Sequence, residues 1–328
     1  MICTARAGTN IALVKYWGKR DAALNLPAAG SLSLTLQGLD TITSVDFSDQ
    51  GSPHDHVFEG ENPAGEAFAR RTSKFLDLVR QRAGISAKAV VRTRNSFPTG
   101  AGLASSASGF AALALAATRA AGLTLSPDEL SVLARRGSGS AARSIFGGFV
   151  QMDPGARADG TDAFAHPILD PAAWDLCLVV AVTTRAPKDV GSTDAMEHTT
   201  NTSPYYAAWI ASVPHDLAVA RAAIAARDLQ SLGAVTERSA LRMHASAMAA
   251  DPGVLYWTGP TVAAMLAVKD LRRAGVPVFF TMDAGPHVKA LCHTADADNV
   301  RTRLLDVPGV LDVIVARPGP GAAVVDGP

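Results

Sequence analysis

The chain has 328 residues, of which 48% are hydrophobic and 18% are charged. Thirty basic and 30 acidic side chains give a formal net charge of zero. High hydrophobic content without net charge excludes a disordered chain, and the missing basic excess argues against a general nucleic-acid binder. At this length we expect two domains or one large one.

Cysteine usage and the absence of long apolar stretches bear on the cellular location. Cys3, Cys177 and Cys292 are odd in number and form no C-x-x-C pair, a pattern that indicates reduced thiols. We recognise no secretory signal, and no uncharged apolar stretch approaches the roughly 18 residues of a membrane span. We therefore expect a cytoplasmic protein that neither spans a membrane nor binds nucleic acid.

Strands and helices are mixed in the first half of the chain. Polar and apolar residues alternate over 31–36, which predicts a half-buried strand, with 41–47 as its hairpin partner and a turn at 38–40. Asn62 and Pro63 are typical of a helix start, so a helix is predicted from there to Gly84. The remaining predicted elements are a strand at 89–94, a helix at 104–121, a helix opened by a capping box at 126–129 and ending near 137, and strands at 148–152 and 176–183.

The second half is dominated by an alanine-rich helical stretch. Residues 203–250 predict helix with one break at 213–214. The elements predicted after it are a helix at 258–275, strands at 276–282 and 288–292, a helix at 298–305 and a last strand at 310–316. We place a boundary after residue 184, which gives domains 1–184 and 185–328 and a two-lobed α+β fold.

A segment rich in glycine and small hydroxyl residues lies at 95–107, between a predicted strand and a predicted helix. Backbone N–H groups at a helix N-terminus can bind an anion, and glycines let a polyphosphate approach the backbone. The segment is not a P-loop, because it lacks G-x-x-x-x-G-K-[ST]. An ordinary turn with Ser105 or Ser106 as the N-cap explains the same residues.

A second glycine pair, at 137–143, formally fits the dinucleotide-binding pattern G-x-G-x-x-G/A. That pattern requires a preceding strand, and here a capped helix precedes it, so we reject the interpretation. The segment still offers two serines and Arg143, whose guanidinium can bind a carboxylate or phosphate through two parallel hydrogen bonds. Taken alone, an exposed arginine at a helix start is the simpler interpretation.

Two further segments carry candidate chemistry. Residues 10–21 hold two aromatic rings among the cations Lys15, Lys19 and Arg20, which suits a small anionic ligand or, equally, a solvated charged loop. Asp283 ends an apolar strand before a Gly-Pro turn. It is either a turn cap or a carboxylate held for proton or hydroxyl chemistry. No G-x-S-x-G or H-E-x-x-H pattern occurs.

In their order along the chain, these segments resemble the diphosphomevalonate decarboxylases of the GHMP kinase superfamily. The segments that carry the resemblance are 10–21, 95–107, 137–149, 188–193, 202–206 and 282–286. The resemblance implies a GHMP-kinase fold, with an S5-like α/β N-terminal lobe that binds ATP packed on a ferredoxin-like C-terminal lobe. It also implies ATP- and Mg²⁺-dependent decarboxylation of mevalonate 5-diphosphate to isopentenyl diphosphate, through phosphorylation of the C3 hydroxyl.

The resemblance also implies roles for individual residues. Asp283 engages the C3 hydroxyl as base or orienter, Arg143 holds the substrate carboxylate, and Asn10 and Lys15 complete the catalytic set. The implied substrate-binding residues are Tyr16, Trp17, Lys19, Ser138, Ser140, Ser192 and Met196. The implied nucleotide-binding residues are Pro98, Gly100, Gly102, Leu103, Ala104, Ser105, Ser106 and Lys188, with Ser106 also expected at the metal ion. A homodimer is expected.

The chain departs from the family pattern near the expected diphosphate pocket. Residues 28–30 are Ala-Ala-Gly where many relatives have serine or asparagine, Gly191 replaces a serine, and Thr193 replaces the arginine of several bacterial relatives. The alternatives are a decarboxylase of mevalonate 5-phosphate, a mevalonate 3-kinase, or a non-catalytic relative that only binds a phosphorylated ligand. The presence of both Asp283 and Arg143 favours decarboxylation.

Overall fold

The computed structural model describes residues 2–48, 51–96, 105–186 and 188–326. The strands are β1 (Ile2–Val14), β2 (Lys19–Asp21), β3 (Leu26–Pro27), β4 (Ser31–Asp46), β5 (His56–Glu59), β6 (Asn62–Pro63), β7 (Val90–Asn95), β8 (Phe149–Met152), β9 (Ala165–Leu169), β10 (Leu176–Val182), β11 (Val278–Thr281), β12 (Val288–His293), β13 (Asp312–Ala316) and β14 (Ala323–Val324). The helices are α1 (Glu66–Ala83), α2 (Ser105–Ala120), α3 (Pro127–Gly137), α4 (Ala141–Ser144), α5 (Ser192–Thr202), α6 (Tyr206–Ala226), α7 (Leu229–Met248), α8 (Gly259–Arg273) and α9 (Ala297–Leu305).

Two large sheets organise the described part of the chain. The first has the order β14-β1-β4-β7-β5-β6, with β8 paired to β4 and β9 to β8. The second is antiparallel, with the order β11-β12-β10-β13. The expected α+β class is confirmed. Because β10 belongs to the second sheet, the expected boundary after residue 184 separates this strand from its own sheet, and the division into domains stays a prediction.

The two sheets share one apolar core. A single cluster of buried side chains contains Ile11 and Leu34 of the first sheet, Leu178 and Phe279 of the second, and Trp209 of α6. Three further clusters lie between the first sheet and helices α1, α2 and α3, between the second sheet and helices α8 and α9, and around β8 and β9. The shared cluster holds β1 and β11 in a fixed relation, and the candidate site lies at the ends of these two strands.

The predicted hairpin at 31–47 is wrong. Both halves belong to one long strand, β4, whose partner is β1: residues 40–46 pair with 2–8, and 32–35 pair with 10–14. Residues 36–39 fall in the register shift between the halves, and Gly38 has a φ of +83° there. The turn-forming residues therefore form a bulge, because β1 is long enough to pair with both halves.

Two predicted helix boundaries are also wrong. Asn62 and Pro63 form the edge strand β6, where a missing N–H is tolerated, and α1 begins at Glu66. Pro214 lies inside α6, and the break falls at Arg227, which has a left-handed φ of 54°. The side chain of Asp228 then caps α7 by accepting from the N–H of Ser231, so a new N-terminus starts there.

Other helix signals are confirmed. Ser126 and Glu129 form a capping box at the start of α3, and Gly84 ends α1 in the left-handed conformation. Among the described residues, no helix is both long and apolar enough to cross a bilayer.

Candidate active site

A pocket of about 620 Å³ opens where β1, the N-termini of α2 and α5, the segment that joins α3 to α4 and the loop after β11 meet. The pocket is lined by Asn10, Ala12, Lys15, Tyr16, Trp17, Lys19, Asn25, Arg71, Ser105, Ser106, Ser138, Gly139, Ser140, Arg143, Lys188, Gly191, Ser192, Thr193, Asp194, Met196, Met243, Asp283 and Ala284. Every predicted site residue that the structure describes is among them. The predicted residues Pro98, Gly100, Gly102, Leu103 and Ala104 lie outside the described residues.

Positive charge dominates the described lining of this pocket. The cations are Lys15, Lys19, Arg71, Arg143 and Lys188, whereas the acids are Asp194 and Asp283. In a chain of zero net charge, such a concentration of cations favours an anionic ligand.

Two lysines flank the carboxylate of Asp283. Lys15 Nζ donates to Asp283 Oδ1 at 2.7 Å and to the carbonyl of Ala12 at 2.7 Å. Lys289 Nζ lies 3.0 Å from Asp283 Oδ2 and forms the second ion pair. The lysine side chains are 2% and 0% exposed, whereas that of Asp283 is 22% exposed. Asp283 is therefore the most exposed member of this group, and both Asp283 and Lys15 line the pocket.

Burial and charge act in opposite directions on these groups. Burial alone would raise the pKa of Asp283, but Lys15 and Lys289 outweigh it and hold the pKa well below its usual range. Burial lowers the pKa of Lys15 to about 8, although Asp283 opposes the shift. At neutral pH Asp283 is therefore an ionised carboxylate, paired with Lys15 and Lys289.

Arg143 is held by a network of polar side chains. Its Nε donates to Asn10 Oδ1 at 3.2 Å and to Ser33 Oγ at 3.0 Å, and its Nη1 donates to Ser31 Oγ at 2.5 Å. Asn10 in turn donates to Ser144 Oγ at 2.8 Å. Burial lowers the pKa of Arg143 to about 10, so the guanidinium stays charged at neutral pH and its orientation is fixed before any ligand binds.

A tyrosine lies between Arg143 and the α3–α4 segment. The guanidinium carbon of Arg143 is 6.0 Å from the ring centroid of Tyr16, within cation–π range. A Cβ at Gly139 would lie 2.3 Å from the Tyr16 hydroxyl oxygen, so a side chain at residue 139 would displace the ring. The buried hydroxyl of Tyr16 has no hydrogen-bond partner among the described residues, which leaves it available to a ligand.

Helix N-termini and a lysine bound the other side of the pocket. Ser105 and Ser106 begin α2, and the Ser138 hydroxyl donates to Ser106 Oγ at 3.4 Å. Lys188 Nζ donates to Ser192 Oγ at the start of α5, at 2.8 Å, and to the carbonyl of Ala284 at 3.2 Å. Lys188 thus links the α5 N-terminus to the loop that carries Asp283.

Comparisons with known proteins match both halves of the chain. Residues 7–165 match a model of the diphosphomevalonate decarboxylase-like N-terminal domain, and residues 178–309 match one of the mevalonate 5-diphosphate decarboxylase C-terminal domain. The diphosphomevalonate decarboxylase of Aspergillus fumigatus is 36% identical over 343 residues, covering 99% of this chain and 82% of its own length. The chain belongs to the diphosphomevalonate decarboxylase family.

Solved structures from this family superpose closely on the chain. Mevalonate diphosphate decarboxylase from Staphylococcus aureus gives a TM-score of 0.93 at 40% identity, with 99% of each chain covered. The complex of MDDEF with MVAPP, AMPPCP and magnesium gives a TM-score of 0.92 at 40% identity and covers 100% of this chain and 99% of its own. The two-lobed GHMP-kinase fold implied by the sequence is thereby confirmed.

Several residues at the site of this diphosphomevalonate decarboxylase family member were missed by sequence reasoning. Arg71 reaches the pocket from α1, donates to the carbonyl of Gly137 at 2.7 Å and carries no local motif. Asn25 and Met243 also line the pocket without a local signal. Lys289 did carry one, because a lysine inside the apolar strand β12 requires a buried counter-charge.

Proposed function

We propose that this chain catalyses the ATP-dependent decarboxylation of mevalonate 5-diphosphate to isopentenyl diphosphate, ADP, phosphate and CO₂. The observation that carries the proposal is the meeting of Asp283 and Arg143 in one cationic pocket. The substrate has a tertiary hydroxyl, a carboxylate and a diphosphate, which require respectively an acceptor, a guanidinium and further cations. The ligands of MDDEF in its solved complex support the same ligand classes here.

Asp283 is the proposed partner of the C3 hydroxyl. Because two ammonium groups hold it ionised, it can accept a hydrogen bond from that hydroxyl and orient the oxygen toward the γ-phosphate of ATP. The two lysines hold its pKa well below the usual range, so we assign Asp283 to orienting the hydroxyl rather than to acting as a strong base. Phosphoryl transfer requires positioning more than a strong base, and this geometry suits it.

Arg143 is the proposed partner of the substrate carboxylate. The network of Asn10, Ser31 and Ser33 fixes the guanidinium beforehand, so little orientational freedom is lost on binding. When phosphate leaves C3, the electron pair of the bond to the carboxylate carbon forms the alkene and CO₂ departs. An arginine that fixes the carboxylate can align that bond with the departing phosphate.

We propose that some of the remaining cations and hydroxyls bind the 5-diphosphate of the substrate and that the others bind the phosphates of ATP. Lys19, Tyr16, Ser138 and Ser140 would bind the 5-diphosphate near the α3–α4 segment, with Trp17 and Met196 as apolar contacts. Lys188 and Ser192 at the α5 side, together with Ser105, would approach the nucleotide. Helix N-termini supply further N–H donors to such anions.

A magnesium ion fits this pocket if the bound phosphates supply most of its ligands. Among the described residues, no group of three or more His, Cys, Asp or Glu side chains could hold a metal. Mg²⁺ usually keeps several waters and binds through substrate phosphates with one or two protein oxygens. We propose the Ser106 hydroxyl as its protein ligand. When bound, the ion supplies positive charge to the transferring phosphoryl group.

We also propose that the protein is a cytoplasmic homodimer. Reduced cysteines support the location, since Cys3, Cys177 and Cys292 are all free thiols. Gel filtration with light scattering tests the dimer: an elution mass of twice 33.9 kDa is expected, and a single-chain mass would contradict it.

The deciding experiment supplies ATP and Mg²⁺ with mevalonate, its 5-phosphate or its 5-diphosphate in separate reactions. We expect equal amounts of ADP and CO₂ from the 5-diphosphate alone. ADP without CO₂ would make the protein a 3-kinase, and both products from the 5-phosphate alone would change the substrate. Neither product from any acceptor, with ligand binding seen by calorimetry, would leave a binding protein.

A further inference from the structure

A lysine in the middle of an apolar strand requires a physical reason. Lys289 lies on β12 between Val288 and Ala290 and pairs in register with Thr281, two residues before Asp283. Its side chain is 0% exposed. Among the described residues its Nζ satisfies no hydrogen-bond geometry, and its ion pair is with Asp283 Oδ2 at 3.0 Å. Lys289 does not line the pocket.

The stability of the folded chain does not explain this lysine. Burying an ammonium group is costly unless its charge and its donors are satisfied. Asp283 already has a buried counter-ion in Lys15, at 2.7 Å, so a second lysine adds repulsion between two ammonium groups. An apolar side chain of similar volume would remove both the desolvation cost and the repulsion.

The geometry of the two ion pairs indicates that Lys289 restricts the orientation of the Asp283 carboxylate. Lys15 binds Oδ1 from the end of β1, and Lys289 binds Oδ2 from β12. With each oxygen held from a different element, the carboxylate cannot rotate freely about its Cβ–Cγ bond. We propose that Lys289 is a positioning residue: it pins Oδ2 so that Asp283 presents one fixed orientation to the hydroxyl of the bound substrate. The inference rests on the proposed function.

Other charged groups also act on this carboxylate. Arg143 of α4 and Lys188, which precedes α5, add positive charge at longer range. His244 of α7 contributes none at neutral pH, because burial lowers its pKa to about 3. Removing Lys289 therefore leaves Lys15 as the near counter-ion, and we expect the pKa of Asp283 to rise while the carboxylate gains rotational freedom.

The test compares Lys289→Met with the unmodified chain in the ADP and CO₂ assay. We expect kcat to fall about 10- to 100-fold, the cost typical of a misplaced catalytic group. KM for ATP should stay unchanged, Tm should not fall, and the acidic limb of the kcat–pH profile should move to higher pH. Cys292→Ala, on the same buried strand, is the matched control and should keep kcat within two-fold of the unmodified chain.

The outcomes separate the inference from the proposed function. If the unmodified chain turns over none of the acceptors, the proposed function fails. If the unmodified chain is active and Lys289→Met equals it, the inference alone fails. The inference is overturned if kcat and Tm fall together while the pH profile stays unmoved. It is also overturned if neither Lys289→Met nor Lys289→Gln folds, because Lys289 then has a structural role.

Discussion

Two regions of the molecule each hold one acid between two basic side chains, with opposite exposure. In the pocket, the side chain of Asp283 is 22% exposed and its lysines are 2% and 0% exposed. Between helices α6 and α7, Asp216 is 0% exposed, whereas Arg238 and Arg242 are 35% and 44% exposed. Arg238 Nη2 lies 2.8 Å from Asp216 Oδ1, and Arg242 Nη1 lies 3.3 Å from Oδ2.

The difference in exposure indicates which group is available for chemistry. At Asp216 the arginines keep their charged heads partly in water and seal the acid inside a helix pair, as a structural ion pair does. At Asp283 the two lysines are almost fully buried, and the acid is the more exposed partner in the pocket. Burying two cations next to a half-buried carboxylate costs desolvation free energy, and such arrangements are typical of functional sites.

The largest expected effect is on turnover, from Asp283→Asn. We expect kcat to fall by about 10³-fold or more, within the range attributed to a positioned acid or base. ATP affinity should remain nearly unchanged, because the proposed nucleotide contacts come from α2, Lys188 and Ser192. Single-turnover ADP formation and calorimetry with an ATP analogue measure the two quantities. Substantial residual turnover would contradict the proposed role of Asp283.

The second expected effect is on stability, from Asp216→Ala. Removing the acid takes away the hydrogen bonds of Arg238 and Arg242, but these arginines are 35% and 44% exposed, so no charge is left buried without a partner. We therefore expect the free energy of unfolding, measured with urea, to fall by about 1.5–3 kcal/mol, the range for hydrogen bonds to charged groups. Turnover per folded molecule should be unchanged, and a fall in kcat would remove the contrast between the two acids.

The third expected effect is a fall in kcat/KM above about pH 8. Burial lowers the pKa of Lys15 to about 8, so the lysine loses its proton above that pH and Asp283 loses its closest counter-ion. We expect kcat/KM to decline about tenfold per pH unit there.

Unfolding would not explain that decline. Unfolded Lys15 keeps its proton up to its ordinary pKa of 10.5, so between pH 8 and 10.5 its contribution makes the free energy of unfolding rise with pH. Measuring Tm across the same pH range separates the two causes. A flat profile from pH 7 to 10 would show that the charge of Lys15 is not needed.

Local sequence signals predicted helix caps and apolar strands, but they did not predict strand pairing or the pocket. The capping box at Ser126 and the apolar run of β10 depend only on neighbouring residues, so they were found. The hairpin predicted at 31–47 is wrong because both halves of this segment pair with β1, a strand that the local pattern of 31–47 does not include. The pocket segments were identified by resemblance, whereas each segment alone allowed a structural interpretation.

Contacts between residues far apart in the sequence could not be predicted. Arg71 lies on α1 and reaches the α3–α4 segment only because α1 packs near α3. The pairing of Lys289 with Asp283 depends on the register of β11 and β12, which places residue 289 opposite Thr281. Register and helix packing are properties of the whole chain, and a local pattern carries neither.

The smallest expected effect, from Arg242→Ala, tests the exposed side of the comparison. Arg242 is 44% exposed, lies 3.3 Å from Asp216 Oδ2, and leaves Arg238 in place when it is removed. Partly exposed pairs contribute about 0–1 kcal/mol, so we expect the free energy of unfolding to fall by less than about 1 kcal/mol. Turnover should not change. Arg242 is the second basic partner of Asp216, as Lys289 is of Asp283. Equal losses of kcat in Arg242→Ala and Lys289→Met would therefore show that exposure does not distinguish a structural ion pair from a catalytic one.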